Sequence, residues 1–162
     1  MALRRQLSLY VPDDQAAPIE AIRRVLDPIQ HALIPAHVTL CRDEETAGLT
    51  SEAIAEALAG AEPITLSFGR AVVFDGHGIL LPCTFGAEDF ANLRKRLLGA
   101  DPLRTQAPHI TLAHPRNPRA PDNTLTRAHE LPAEYALTFS AINLIEQAPG
   151  EPWRVLGAFD LQ

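Results

Sequence analysis

Apolar and polar residues alternate from Leu3 to Val11, with Leu7 and Leu9 on one side and Ser8 and Tyr10 on the other, which predicts a strand. Pro12-Asp13-Asp14 is predicted to end it. From Pro18 to Leu33 the period lengthens. Ile19, Ile22, Leu26 and Ile29 recur at helical intervals, Glu20, Arg23 and Arg24 fall on the wet face, and Pro28 marks a kink or stop. After Pro35 comes a short strand, His37-Val38-Thr39-Leu40, with a polar exit at Arg42-Asp43-Glu44-Glu45. Thr50 and Ser51 are cap candidates for a helix through Ile54, Ala57 and Leu58 that stops at Gly60.

Ile64 to Phe74 reads as one strand with a bulge at Gly69, turned by Asp75-Gly76-His77-Gly78 into a hairpin with Ile79-Leu80-Leu81. Pro82 predicts a break or an edge before Cys83-Thr84-Phe85. Ala87 to Leu98 is a second amphipathic helix, with Phe90, Leu93, Leu97 and Leu98 on one face and Gly99 at its end. A Pro-bearing loop leads to a strand, His109-Ile110-Thr111-Leu112. A loop over His114–Asn123, a short helix over Thr124–His129, a strand from Tyr135 to Glu146, a turn over 148–152 and a last strand from Trp153 to Leu161 complete the chain. Helices interleave with strands and hairpins, so the fold class expected is α+β.

One phrase occurs twice: Pro35-Ala36-His37-Val38-Thr39-Leu40 and Ala107-Pro108-His109-Ile110-Thr111-Leu112. On a strand, residues two apart share a face, so each copy pairs one His with one Thr and buries its branched residue and its Leu on the other side. His37 and His109 stand 72 residues apart, near half the chain, and each follows a strand and a helix. An internal duplication follows: two pseudo-symmetric lobes of antiparallel or mixed sheet with flanking helices about a central cleft, in a single bilobal domain over 1–162.

Composition narrows the chemistry. Lys and Arg total 14 against 20 Asp and Glu, a formal charge of −6, which argues against a strong non-specific grip on long nucleic acid. Cys41 and Cys83 have no zinc-like spacing and read as reduced core thiols. The N-terminal residues carry no apolar run long enough for a signal peptide, and no stretch approaches a membrane span. The expectation is a cytoplasmic monomer with no membrane association.

Two imidazoles facing one cleft suit phosphoryl transfer. A neutral His takes a proton from the attacking oxygen and a protonated His gives one to the leaving oxygen. The hydroxyls of Thr39 and Thr111 can donate to non-bridging phosphate oxygens. No cofactor is required, and the absence of a carboxylate cluster in the sequence predicts no metal site.

The pair His-Val-Thr-Leu and His-Ile-Thr-Leu resembles the His-x-Thr-x signature of the two-histidine (2H) phosphoesterases, and most of all their LigT-like, 2′-5′ RNA ligase branch of RNA cyclic phosphodiesterases. The resemblance extends over nearly the whole chain. It implies two pseudo-symmetric α+β lobes, catalysis by His37 and His109, and phosphate contacts by Thr39 and Thr111. The implied reaction opens a 2′,3′-cyclic phosphate to a 2′-phosphomonoester, or cleaves a 2′-5′ linkage, with RNA ends or small cyclic nucleotides as partners. In the last hairpin, Gln147 stands where the family often has serine and Trp153 where it has tyrosine. These changes bear on base or ribose contacts.

Other residues carry weaker signals. Arg42 and Arg116 lie just beyond the two motifs and could steer an anion. Tyr10, Phe74 and Trp153 are stacking candidates, although core packing accounts for each. His31 fits a helix C-terminus, and His77 a solvent-facing turn. The alternatives are 2′-5′ RNA ligation, a nucleotide-binding module without turnover, and a His-based metal site, for which two histidines are too few ligands.

Overall fold

The computed structural model describes residues 2–99 and 105–162. Its elements are β1 (Arg4–Tyr10), α1 (Asp13–Leu26), α2 (Pro28–Leu33), β2 (His37–Cys41), α3 (Asp43–Thr46), α4 (Ser51–Leu58), β3 (Ile64–Phe68), β4 (Val72–Phe74), β5 (Gly78–Phe85), α5 (Ala87–Leu98), β6 (His109–Ala113), α6 (Leu125–Ala128), β7 (Tyr135–Phe139), β8 (Ala141–Gln147) and β9 (Arg154–Asp160). The Pro-bearing connection ahead of the second motif falls partly on 100–104, outside the described residues.

All strand pairs are antiparallel. One sheet runs β2-β1-β8-β9. In the other, β5 pairs with β4, β3 and β6, and β3 also pairs with β7. The α+β class and its two lobes are therefore present. The sheets are also interlocked. β3 follows the first motif in the chain yet pairs with β5, and β8 follows the second motif yet pairs with β1.

The core comes from the inward faces of both sheets, with Leu7, Leu9, Val38 and Leu40 on one side and Leu66, Phe68, Leu81, Ile110 and Leu137 on the other. Ile19 and Leu26 of α1 and Phe90 and Leu93 of α5 cover it. Each such side chain, fully buried, contributes about 1.5–3 kcal/mol.

Several local expectations change. The strand ends at Tyr10, ahead of Pro12 as expected, but the helix expected from Pro18 opens at Asp13, where two carboxylates in the first turn meet the positive end of the helix dipole. The stop near Pro28 is present: Asp27 accepts the Gln30 backbone N–H at 3.0 Å and caps α2, with Pro28 in its first turn. The polar exit after the first motif is a helical turn, α3, where Glu45 accepts the Arg42 backbone N–H at 3.0 Å. Buried Arg94 holds that turn, pairing with Glu45 at 2.7 Å and donating to the Leu40 carbonyl at 2.6 Å. The long strand read from Tyr135 breaks at Ser140, where the chain leaves one sheet for the other. Ile64–Phe74 is interrupted as well. β3 and β4 take successive stretches of β5, and the Gly69 N–H between them donates to the Pro82 carbonyl at 2.8 Å. Pro82 lies inside β5 instead of breaking it, opposite His109.

Gly86 turns β5 into α5 at φ +94°, and a Cβ there would sit 2.3 Å from the Thr65 carbonyl oxygen. Gly86→Ala is expected to lower unfolding free energy by at least about 1–3 kcal/mol, read from the urea midpoint. An unchanged midpoint would contradict the geometry.

Candidate active site

β2 and β6 have the same alternation of burial. Val38 and Leu40 on one, Ile110 and Leu112 on the other, are fully buried, while His37, Thr39, His109 and Thr111 are half-buried on the opposite faces. Among the described residues each strand pairs on one side only, β2 with β1 and β6 with β5. The two are near neighbours without being hydrogen-bonded into one sheet. A shared cavity of about 670 Å³ lies over them, and all four motif side chains line it.

Each imidazole is anchored in the same way. His37 Nδ1 lies 2.8 Å from the Pro35 carbonyl and His109 Nδ1 lies 2.9 Å from the Ala107 carbonyl, in each case two residues upstream. A carbonyl only accepts, so Nδ1 carries the hydrogen and Nε2 is left for a ligand. Thr39 and Thr111 stand two residues further along the same faces. Tyr10, opposite His37 in the ladder, meets its ring edge-on at 6.5 Å and 83°. Burial disfavours the charged form of His37. Arg23 and the His109 imidazole add to that, the Pro35 carbonyl and Glu20 oppose it, and the ring is held down to about 4.

Among the described residues the cavity wall bears Arg4, Arg42 and Arg116 and no carboxylate, although the whole chain is acidic. Each guanidinium has a polar partner: Arg4 donates to Gln147 Oε1, Arg42 Nε to Gln106 Oε1 at 3.0 Å, and Arg116 meets His114. The Arg4 guanidinium also lies 5.2 Å over the Trp153 ring. The described wall is therefore positive, with neutral hydrogen-bonding groups between its guanidiniums.

The sequence profile of the 2′-5′ RNA ligase superfamily matches residues 11–151. The chain belongs to that superfamily. In structure it is similar to Escherichia coli LigT complexed with phosphate (TM-score 0.53, 17% identity, 98% of this chain and 97% of that one). It is also similar to E. coli LigT complexed with NADP+ (0.56, 19%, 98% and 97%) and to the crystal structure of a phosphoesterase (0.55, 17%, 99% and 99%). At such identities the likeness is one of fold. No curated protein matches the chain in sequence.

Within this superfamily member the lesser candidates divide. Arg42, Arg116, His114 and Trp153 line the cavity, and Tyr10, Phe74, His31 and His77 do not. His77 is half-buried rather than solvent-facing, with Nε2 2.7 Å from the Asn117 carbonyl. His114 accepts the Arg116 backbone N–H at 3.1 Å, and its ring is held below the usual range by burial first and Arg116 next. Gln147, singled out in the last hairpin, lines the cavity as well; sequence reasoning missed Arg4, Gln6, Gln30 and Asn117, which also line it. Arg4 and Gln6 had a usable signal: they continue the polar face of β1 that includes Ser8 and Tyr10. Cys41 is buried, its thiol pushed up to about 12 by burial. Among the described residues, no three His, Cys, Asp or Glu side chains gather as metal ligands, and no helix is long and apolar enough to cross a membrane.

An NMR titration of the imidazole resonances is expected to show His37 changing charge far below the ordinary 6.5, near 4. A midpoint at or above 6.5 would contradict the buried, cation-facing environment described.

Proposed function

We propose that this protein is a phosphodiesterase that opens 2′,3′-cyclic phosphates to 2′-phosphomonoesters by two-histidine acid–base catalysis. The observation that supports it most is the pair of imidazoles, each with Nδ1 satisfied by backbone and Nε2 left for a ligand, in one cavity whose described lining carries three arginines and no carboxylate. His37, kept neutral by its surroundings, takes the proton of a water as its oxygen attacks phosphorus. The bond from phosphorus to O3′ breaks, and O3′ leaves with a proton from His109 Nε2. The hydroxyls of Thr39 and Thr111 donate to the non-bridging oxygens as charge gathers there. Exchange with solvent resets both rings.

The cavity carries more positive charge than one phosphodiester balances, which favours an RNA end, with its further phosphates, over a lone cyclic nucleotide. The E. coli LigT structures complexed with phosphate, 3′-AMP, NADP+ and ATP agree with a nucleotide ligand in this fold. The reading takes the protein as a cytoplasmic monomer acting on RNA. Membership of the superfamily also favours a second reading, 2′-5′ ligation. An RNA 5′-hydroxyl then replaces water as the attacking group at the same phosphorus.

Turnover of a 2′,3′-cyclic-phosphate-ended oligonucleotide is expected to persist in EDTA and to fall about 10²–10⁴-fold in His37→Ala and in His109→Ala. Loss of turnover with chelator, or full activity in either variant, would contradict the mechanism. Tight binding of a 2′-phosphonucleotide without any turnover would mark a binding module instead. Arg116→Gln is expected to raise KM for the oligonucleotide several-fold more than for a nucleoside 2′,3′-cyclic phosphate, and equal effects would remove the argument for further phosphates.

A further inference from the structure

We propose that the Glu20–Arg23 pair on α1 is a positioning device for His37, gripping the backbone on both sides of the carbonyl that orients the ring. The inference rests on the catalytic reading above for its kinetic consequences and on geometry alone for its structural ones.

Arg23 is 1% exposed, although it was expected on the wet face of its helix. Its Nη2 donates to the Ile34 carbonyl at 2.8 Å, and its Nη1 forms an ion pair with Glu20 Oε1. The other carboxylate oxygen, Glu20 Oε2, accepts the Ala36 backbone N–H at 3.0 Å. Ile34 and Ala36 are thus both held by one side-chain unit. Between them lies Pro35, whose ring restricts its own φ and whose carbonyl receives His37 Nδ1–H. The Ala36 carbonyl is taken in turn by the Val11 N–H at 3.0 Å. A rotation at Pro35 would break at least one of these bonds, so the direction of His37 Nε2 is set from α1. No salt bridge among the described residues grips the corresponding stretch ahead of His109.

A buried ion pair is a poor source of stability, since removing two charges from water offsets much of their attraction. Its placement here makes sense as orientation. The pair also acts on the ring through space. The Arg23 cation favours the neutral imidazole and the Glu20 anion the protonated one. The remaining groups that face His37 are the His109 imidazole across the groove and the Tyr10 phenol on β1.

Three variants test this: Arg23→Met, Arg23→Lys and Glu20→Gln. The measurements are thermal melting, NMR titration of His37, and kcat and KM against pH with a 2′,3′-cyclic-phosphate-ended oligonucleotide. Arg23→Met is expected to move the His37 midpoint, and with it the acid limb of kcat/KM, to higher pH. Glu20→Gln is expected to move both to lower pH. In each, kcat falls about tenfold or more at the optimum while KM stays within about twofold, because neither residue touches substrate. Arg23→Lys restores the midpoint but only part of kcat, since an ammonium lacks the fork that spans Ile34 and Glu20. If Arg23→Met fails to fold, Glu20→Gln, which retains the cation, carries the test. Midpoints that shift in the same direction in Arg23→Met and Glu20→Gln, or an unmoved midpoint in the folded variants, would overturn the proposal. Opposite midpoint shifts in the two variants, with a wild-type protein that turns over no cyclic phosphate, would support the positioning device and overturn only the catalytic reading.

Discussion

A neutral imidazole carries one ring proton and can keep it on either nitrogen. In this protein the choice is made by backbone. The carbonyls of Pro35 and Ala107 each accept the Nδ1–H of the histidine two residues on, and both rings are thereby fixed in tautomer and direction. Everything else at the site follows from keeping those two carbonyls in place. Both motifs have proline at or beside the carbonyl residue, which limits the backbone freedom that would let the rings swing. Both sit at the first residue of a strand, where period-two alternation aims the threonine the same way as the histidine and sends the aliphatic neighbours into the core.

The second condition is that the two strands lie close without joining. β2 and β6 are edges of separate sheets, and the sheets exchange strands: β3 crosses to pair with β5 and β8 crosses to pair with β1. Each sheet therefore takes strands from both halves of the chain, which passes between the sheets after β2 and again at Ser140. The two halves share the groove, and side chains outside the motifs dress its walls. Arg4, Arg42 and Arg116 do so from β1, from the turn after β2 and from the loop after β6.

Much of this was legible in the chain because it depends on local alternation. The two His-x-Thr strands, the Pro28 interruption, the Thr50 cap and the α5 stripe are all written in residues a few positions apart. What was not legible depends on partners far away in sequence. Nothing near Ser140 says that the chain changes sheets there. The Arg42–Glu45 stretch looks like a solvated exit until Arg94, on another helix, closes on Glu45. Arg23 reads as a wet-face residue because its partner carbonyl, Ile34, lies beyond a helix break. Arg4 and Gln6 were accessible in principle, since strand period extends the face of Ser8 and Tyr10 outward, but their proximity to the motifs requires knowing that β1 pairs with β2.

The strand exchange bears on how the molecule is built as it is synthesised. Every strand of the second sheet lies between Ile64 and Phe139, so that sheet can close while the last segment is still being made. The first sheet combines β1 and β2 with β8 and β9, and it must hold its β1–β2 pair ready until β8 begins at Ala141, about a hundred residues after Cys41. A nascent chain halted before Ala141 would expose the Leu7–Leu9 face with one side of β1 unpaired, the kind of open edge on which chains stick to one another.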